Sequence, residues 1–410
     1  NMNIATKSLL LAGALTVATA AAVAMSLSDG FPGVLSGDPQ RVGAVDSPTP
    51  RSPATQVRPQ IEAVFVLDTT SSMSGLIDAA KNNIWSIASS MASAQPAPDM
   101  RMGLVAFRDR GDAYVTRVLD LSQDLDSMYV SLSDFKAQGG GDGPESVNAA
   151  LHAAVNQVSW SQDTDTYKVI FLVGDAPPHM DYADEPQYPE IVRQAQAKGI
   201  VINCIQAGNQ RNTRQVWQQI ASLNQGEFFQ VEQRGSAVAV HTPFDEKIAA
   251  LSRELDATKL YYGSKERRQQ LQQKEKASRE VFASAPAAVQ AKRAEFNTKA
   301  AGADNLFADG ELVADVASGR LDLDAVPAAE LPAPLLNLSK DEQKAKINKT
   351  AAKREQLQQE IAKLGKQRQD YIAETLEEEA VAQSLDGKIY EAIRSQAGNK
   401  GLIYESKPLF

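Results

Sequence analysis

Six short apolar runs constrain this chain more than any other feature: IEAVFVL (61–67), RMGLVAF (101–107), AYVTRVL (113–119), YKVIFLV (167–173), GIVINCI (199–205) and GEFFQV (226–231). They are bounded by turn residues and rich in Val, Ile or Phe. Runs of this length suit strands buried within a parallel sheet. Helical patterns lie between most of them. Ile77, Ile84, Ile87 and Met91 recur at helical spacing in 76–92, as do Val147, Leu151, Val155 and Val158 in 144–158, where Pro144 suits the first helical position. Segments 190–199 and 213–226 each stop at a glycine, and Thr242-Pro243 would open a closing helix that runs to Leu255. Alternating strands and helices predict an α/β domain over residues 60–257, with a doubly wound, mostly parallel six-stranded sheet. Only RDRGD (108–112) separates the second and third runs. That is a hairpin and not a crossover, so the third strand is expected to be antiparallel and at an edge.

The flanks have a different texture. Ser8 to Met25 carries no charge, Lys7 precedes it, and Ala22-Val23-Ala24 is a small-x-small cleavage pattern. Residues 1–28 therefore predict a signal peptide or, if retained, an N-terminal membrane anchor through residues 8–25. Residues 29–59 read as a flexible linker rich in Pro, Gly, Ser and Asp. An exported location follows: periplasm, cell envelope or extracellular space, with membrane anchoring if residues 8–25 are retained.

Residues 258–410 are dense in Lys, Arg, Gln, Glu and Ala and predict a helical C-terminal region, with a capping box at Ser339 and Glu342. Leu357, Ile361, Leu364 and Tyr371 follow a heptad seam, giving a partly coiled-coil character. Arg354 and Arg368 interrupt the seam, which favours helices packed within the chain over self-association.

The net charge of −9 argues against a general nucleic-acid binder. With one cysteine, Cys204, and three scattered histidines (His152, His179, His241), zinc chemistry has no ligand set. Topology points elsewhere. If the first strand ends at the top of the sheet, Asp68, Thr70 and Ser72 lie there. The loop QGGGDGPES (138–146), carrying Asp142, and the end of the fourth strand, carrying Asp175, are delivered to the same face. Each segment alone reads as a turn or a helix cap. Together they offer carboxylate and hydroxyl oxygens only, which suit Mg²⁺ or Mn²⁺. Arg110-Gly111-Asp112 on that face reads as a hairpin turn, His179 as a rim residue and Cys204 as core.

VFVLDTTSSMSG, GGGDGPESVNAAL and VIFLVGDAPPH, in that order, resemble the von Willebrand factor type A (VWA) domain with its metal-ion-dependent adhesion site. The family's first motif is Asp-x-Ser-x-Ser; here Asp68-x-Thr70-x-Ser72 keeps the hydroxyl. Where the family commonly supplies a threonine in the second loop, this chain has Asp142, as in a bacterial exported branch that carries GGGDGPE. Asp175 matches the third-motif aspartate. The resemblance implies a protein-binding module and not an enzyme, in which a divalent cation held by these five residues bridges to an Asp or Glu of a protein partner. A metal-dependent hydrolase and a structural envelope scaffold are the alternatives. The chain has no Walker loop, no G-x-S-x-G and no H-E-x-x-H to support the hydrolase.

Overall fold

The computed structural model describes residues 58–141, 143–235 and 240–404. The predicted signal segment and nearly all of the linker therefore lie outside the described residues. Six strands build one sheet: β1 (Gln60–Asp68), β2 (Asp99–Phe107), β3 (Thr116–Ser122), β4 (Tyr167–Gly174), β5 (Ile200–Ala207) and β6 (Phe228–Val231). Their order is β3-β2-β1-β4-β5-β6, and only the β2–β3 pair is antiparallel. The edge strand starts later than its apolar run because residues 108–115 turn first, with Arg108 N–H donating to Val115 O. Its position explains its texture. Every residue of β3 is at least partly exposed, whereas β4 is buried throughout.

Side chains alternate between the two faces of each strand. Leu67, Phe171, Val173 and Ile205 share a core with α1 (Ser74–Met91) and α2 (Leu125–Ser133). Val66, Ile170, Leu172 and Cys204 share the opposite core with α3 (Val147–Asn156), α4 (Tyr188–Ala197) and α5 (Arg211–Leu223). Two helix starts differ from expectation. Pro144 precedes α3 instead of opening it, because Glu145 bridges Pro178 and the Ser146 hydroxyl donates to Asp109. Thr242-Pro243 stays outside α6 (Asp245–Asp256), where Thr242 donates through N–H and Oγ1 to the Asp245 carboxylate.

The remaining helices are α7 (Lys265–Ser284), α8 (Ala287–Asn297), α9 (Ala303–Phe307), α10 (Leu312–Ala317), α11 (Lys340–Thr375), α12 (Glu378–Gln383) and α13 (Leu385–Gln396). The Ser339–Glu342 capping box forms at the start of α11. The α11 seam closes inside the molecule: Leu357 and Ile361 share a core with Ile248, Leu251 and Leu255 of α6 and Ala291 of α8. Arg354 and Arg368, which interrupt the heptads, are buried cations paired with Glu311 and Asp245. At the far end, Leu385, Ile389 and Ile393 of α13 enter the core on the α1 side of the sheet. The helical region thus packs onto the α/β domain, and the described residues fall in one compact unit. No helix among the described residues is long and apolar enough to cross a membrane.

Candidate metal centre

From neighbouring positions in the sheet, β1 leads to β2 on one side and β4 leads to β5 on the other. Loops diverge at such a switch point and leave a crevice beyond the carboxyl ends of the strands. Asp68 is the last residue of β1, and Asp175 directly follows the last of β4. Gly174 allows this close approach, since a Cβ there would stand 2.9 Å from Asp68 Cβ.

Asp68 is fully buried. Its Oδ1 accepts from Thr70 N–H at 2.8 Å and from Thr70 Oγ1 at 2.6 Å, while its buried Oδ2 has no hydrogen-bond partner. Burial pushes this carboxyl up to about 7; the Thr70 bonds oppose the shift and the Asp175 charge adds to it. Thr70 Oγ1 lies 3.4 Å from Ser72 Oγ. Because the Thr70 hydroxyl directs its proton to Asp68, its lone pairs remain open to a cation.

The loop before α3 rests on this turn. Gln138 N–H donates to Thr69 O, and both the N–H and the hydroxyl of Ser71 donate to Gly139 O. Gly140 takes φ +75°, and a Cβ there would lie 3.3 Å from Thr70 Cβ. Asp142, the expected ligand from this loop, lies outside the described residues. Asp68, Thr70, Ser72 and Asp175 are the predicted residues that the described structure brings together.

Sequence reasoning missed Gln233. From the turn after β6, its Nε2 donates to Asp175 Oδ2 at 2.7 Å and to Ser72 O at 3.3 Å, tying the first segment to the third. Nothing in EQRG (232–235) marks it. The one usable signal is that the turn leaving β6 also starts at the carboxyl edge of the sheet.

Arg110-Gly111-Asp112 is built into the face. Arg110 pairs with Asp184 and Glu185 and lies over the Tyr182 ring, while Asp112 Oδ2 accepts from Gly140 N–H and Asp109 N–H. His179 is not a rim residue. It is buried, its ring is stacked on Tyr182, and its two nitrogens face Asp181 and Asp109. Cys204 is core, and burial pushes its thiol well up.

Among the described residues, no group of three or more His, Cys, Asp and Glu side chains is placed to hold a metal. The donor set described here is two carboxylates and two hydroxyls. All four are hard oxygen donors, and they fit Mg²⁺ or Mn²⁺. A cation would also supply the counter-charge that the buried Asp68 Oδ2 lacks.

An open α/β sheet with oxygen donors gathered at its switch point defines the class. Residues 62–242 match the family model described as von Willebrand factor A domain, so the chain carries a VWA domain in its α/β part. Domains of this class commonly mediate protein–protein interaction. Among solved structures, proximal thread matrix protein 1 from the mussel byssus is 17% identical over 43% of this chain, with a TM-score of 0.34 in its crystal form 2. The SpRpn10 VWA domain is 13% identical, the match covers 43% of this chain and 89% of that one, and the TM-score is 0.33. This chain spans 43% of the length of the mussel protein. None of the curated proteins compared matches the chain.

Proposed function

We propose that the protein is an exported binding protein whose VWA domain engages a partner's Asp or Glu carboxylate through Mg²⁺ or Mn²⁺. Asp68, Thr70, Ser72 and Asp175 would hold the ion, joined by Asp142. The observation that carries this reading is the buried, partnerless Asp68 Oδ2 beside a second carboxylate at the end of the neighbouring strand. Without a counter-charge, that arrangement costs stability. When bound, the cation supplies a positive centre whose open position a partner carboxylate fills. The chain's own residues do the rest. Thr70 fixes the Asp68 carboxyl, Gln233 holds Asp175, and Arg110, Asp181 and Asp184 offer charge on the loops of the same face. Residues 8–25 would direct export or stay as a membrane anchor, which places the binding face in the periplasm, at the envelope or outside the cell. The helical region, whose α11 seam is buried against α6 and α8, would act as a scaffold for that face.

A pull-down tests the reading. Immobilised full-length chain should retain a protein from envelope extract in Mg²⁺ and release it in EDTA, and the Asp175→Ala variant should retain none. Retention indifferent to both EDTA and the substitution would overturn metal-dependent binding. Metal-dependent turnover of phosphoester or peptide substrates, lost in Asp175→Ala, would replace it with the hydrolase.

A further inference from the structure

Where α1, α8 and α13 meet, four polar side chains are enclosed that play no part in the face described above. They are Asn83 and Ser86 of α1, Lys292 of α8 and Asp386 of α13, each at most 8% exposed. The same helices contribute Ile84, Ile87, Val289, Phe296, Leu385 and Ile389 to the apolar core there. Lys292 Nζ donates to Asn83 Oδ1 at 2.7 Å, with Asn82 O at 3.3 Å and Ser86 Oγ at 3.4 Å. Ser86 Oγ donates to Asp386 Oδ2 at 3.1 Å, and Asn83 is within hydrogen-bonding reach of the Asp386 carboxyl. An amine, a carboxamide and a carboxyl group therefore converge out of water. The amine and the carboxamide come from positions 209 residues apart.

Burial decides the protonation of this group. It lowers the Lys292 ammonium to about 8 and raises the Asp386 carboxyl to about 6. The neutral amine and the protonated acid are thus both within easy reach, as nucleophilic chemistry at a lysine requires.

We propose that Lys292 and Asn83 join in an intramolecular isopeptide bond, with Asp386 as the proton carrier. The neutral Nζ attacks Cγ of Asn83 while the protonated Asp386 donates to Oδ1, where negative charge builds. The Asp386 carboxylate then takes a proton from Nζ and passes it to Nδ2. The Cγ–Nδ2 bond breaks, ammonia leaves, Asp386 recovers its own proton as the carbonyl re-forms, and an Nζ–Cγ amide remains. No oxidant or co-reactant enters. The bond staples α1 of the VWA domain to α8 of the helical region, so the two cannot part under load.

Peptide mass spectrometry of the denatured, digested full-length chain tests this. The expected product is a branched peptide joining Lys292 to Asn83, lighter by one ammonia than its two linear components together. In Asp386→Ala, checked as folded by circular dichroism, the two linear peptides should appear unjoined. If that variant fails to fold, the near-isosteric Asp386→Asn serves the same purpose. Only linear peptides in the wild type would overturn the proposal and leave the cluster a hydrogen-bonded contact. A branch that persists without the Asp386 carboxyl, or one that uses another lysine, would overturn the chemistry assigned to it.

Discussion

In the seam where α2 and α6 meet α8, Arg293 sits between Asp126 and Asp256, with Nε 2.7 Å from the first carboxylate and Nη1 2.7 Å from the second. At the carboxyl end of β1, Asp68 is buried as completely, and what it meets is Thr70 and Asp175, neither of them a cation. Burial alone would raise both carboxyls. At Asp126 the Arg293 charge and hydrogen bonds outweigh it and hold the group well below the usual carboxylate range, while at Asp68 nothing cationic opposes it. Arg354 with Glu311 and Arg368 with Asp245 repeat the matched arrangement in the helical region. Matched burial is architecture. Unmatched burial beside a second carboxylate is the feature on which the proposed cation site rests.

The contrast can be broken by experiment. The largest effect is expected from Arg293→Met, which strands the fully buried Asp126 and leaves Asp256 with Lys259 as its cation. Denaturant unfolding should show a loss of about 3–5 kcal/mol. A loss under about 1 kcal/mol would mean that the seam does not depend on its central cation.

The pH dependence comes next. In EDTA, native Asp68 keeps its proton up to about 7, whereas the unfolded chain releases it near the ordinary value of 3.8. Between those limits the unfolded state binds fewer protons, so stability falls as pH rises. The drop from this group is on the order of 4 kcal/mol. Asp126 works in the opposite sense, because its contribution is present above the ordinary carboxylate pKa and is lost only in strong acid. Asp68→Asn should therefore flatten the pH profile through this window, and parallel wild-type and variant profiles would contradict the assignment.

The smallest effect is expected at Gln233, a neutral donor that compensates Asp175 only in part. Gln233→Ala should cost about 1 kcal/mol or less in thermal unfolding. A loss as large as that from Arg293→Met would place it among the structural residues.

The α/β domain was legible because its signals are local. Each buried strand is a continuous apolar run, and RDRGD is too short to be anything but a hairpin, so strand directions and the convergence at Asp68 and Asp175 followed. The start of β3 at Thr116 was not legible, because Arg108 and Asp109 are fixed by tertiary bonds to the neighbouring loops. The helical region resisted for the same reason. Arg354 and Arg368 interrupt the heptads in the sequence, and only the fold brings Glu311 and Asp245 to them. The place of α13 in the sheet core, and Gln233 at the site, likewise depend on partners far away in the chain.

We propose a divalent cation for the Asp68 crevice. Thermal unfolding of the full-length chain in EDTA and across a Mg²⁺ titration tests it most directly. Wild-type stability should rise with Mg²⁺, by about 2.7 kcal/mol at a hundredfold excess over the dissociation constant. Asp68→Asn and Asp175→Asn should show no such rise. A wild-type protein indifferent to Mg²⁺ and Mn²⁺, or variants stabilised as strongly as the wild type, would contradict the account.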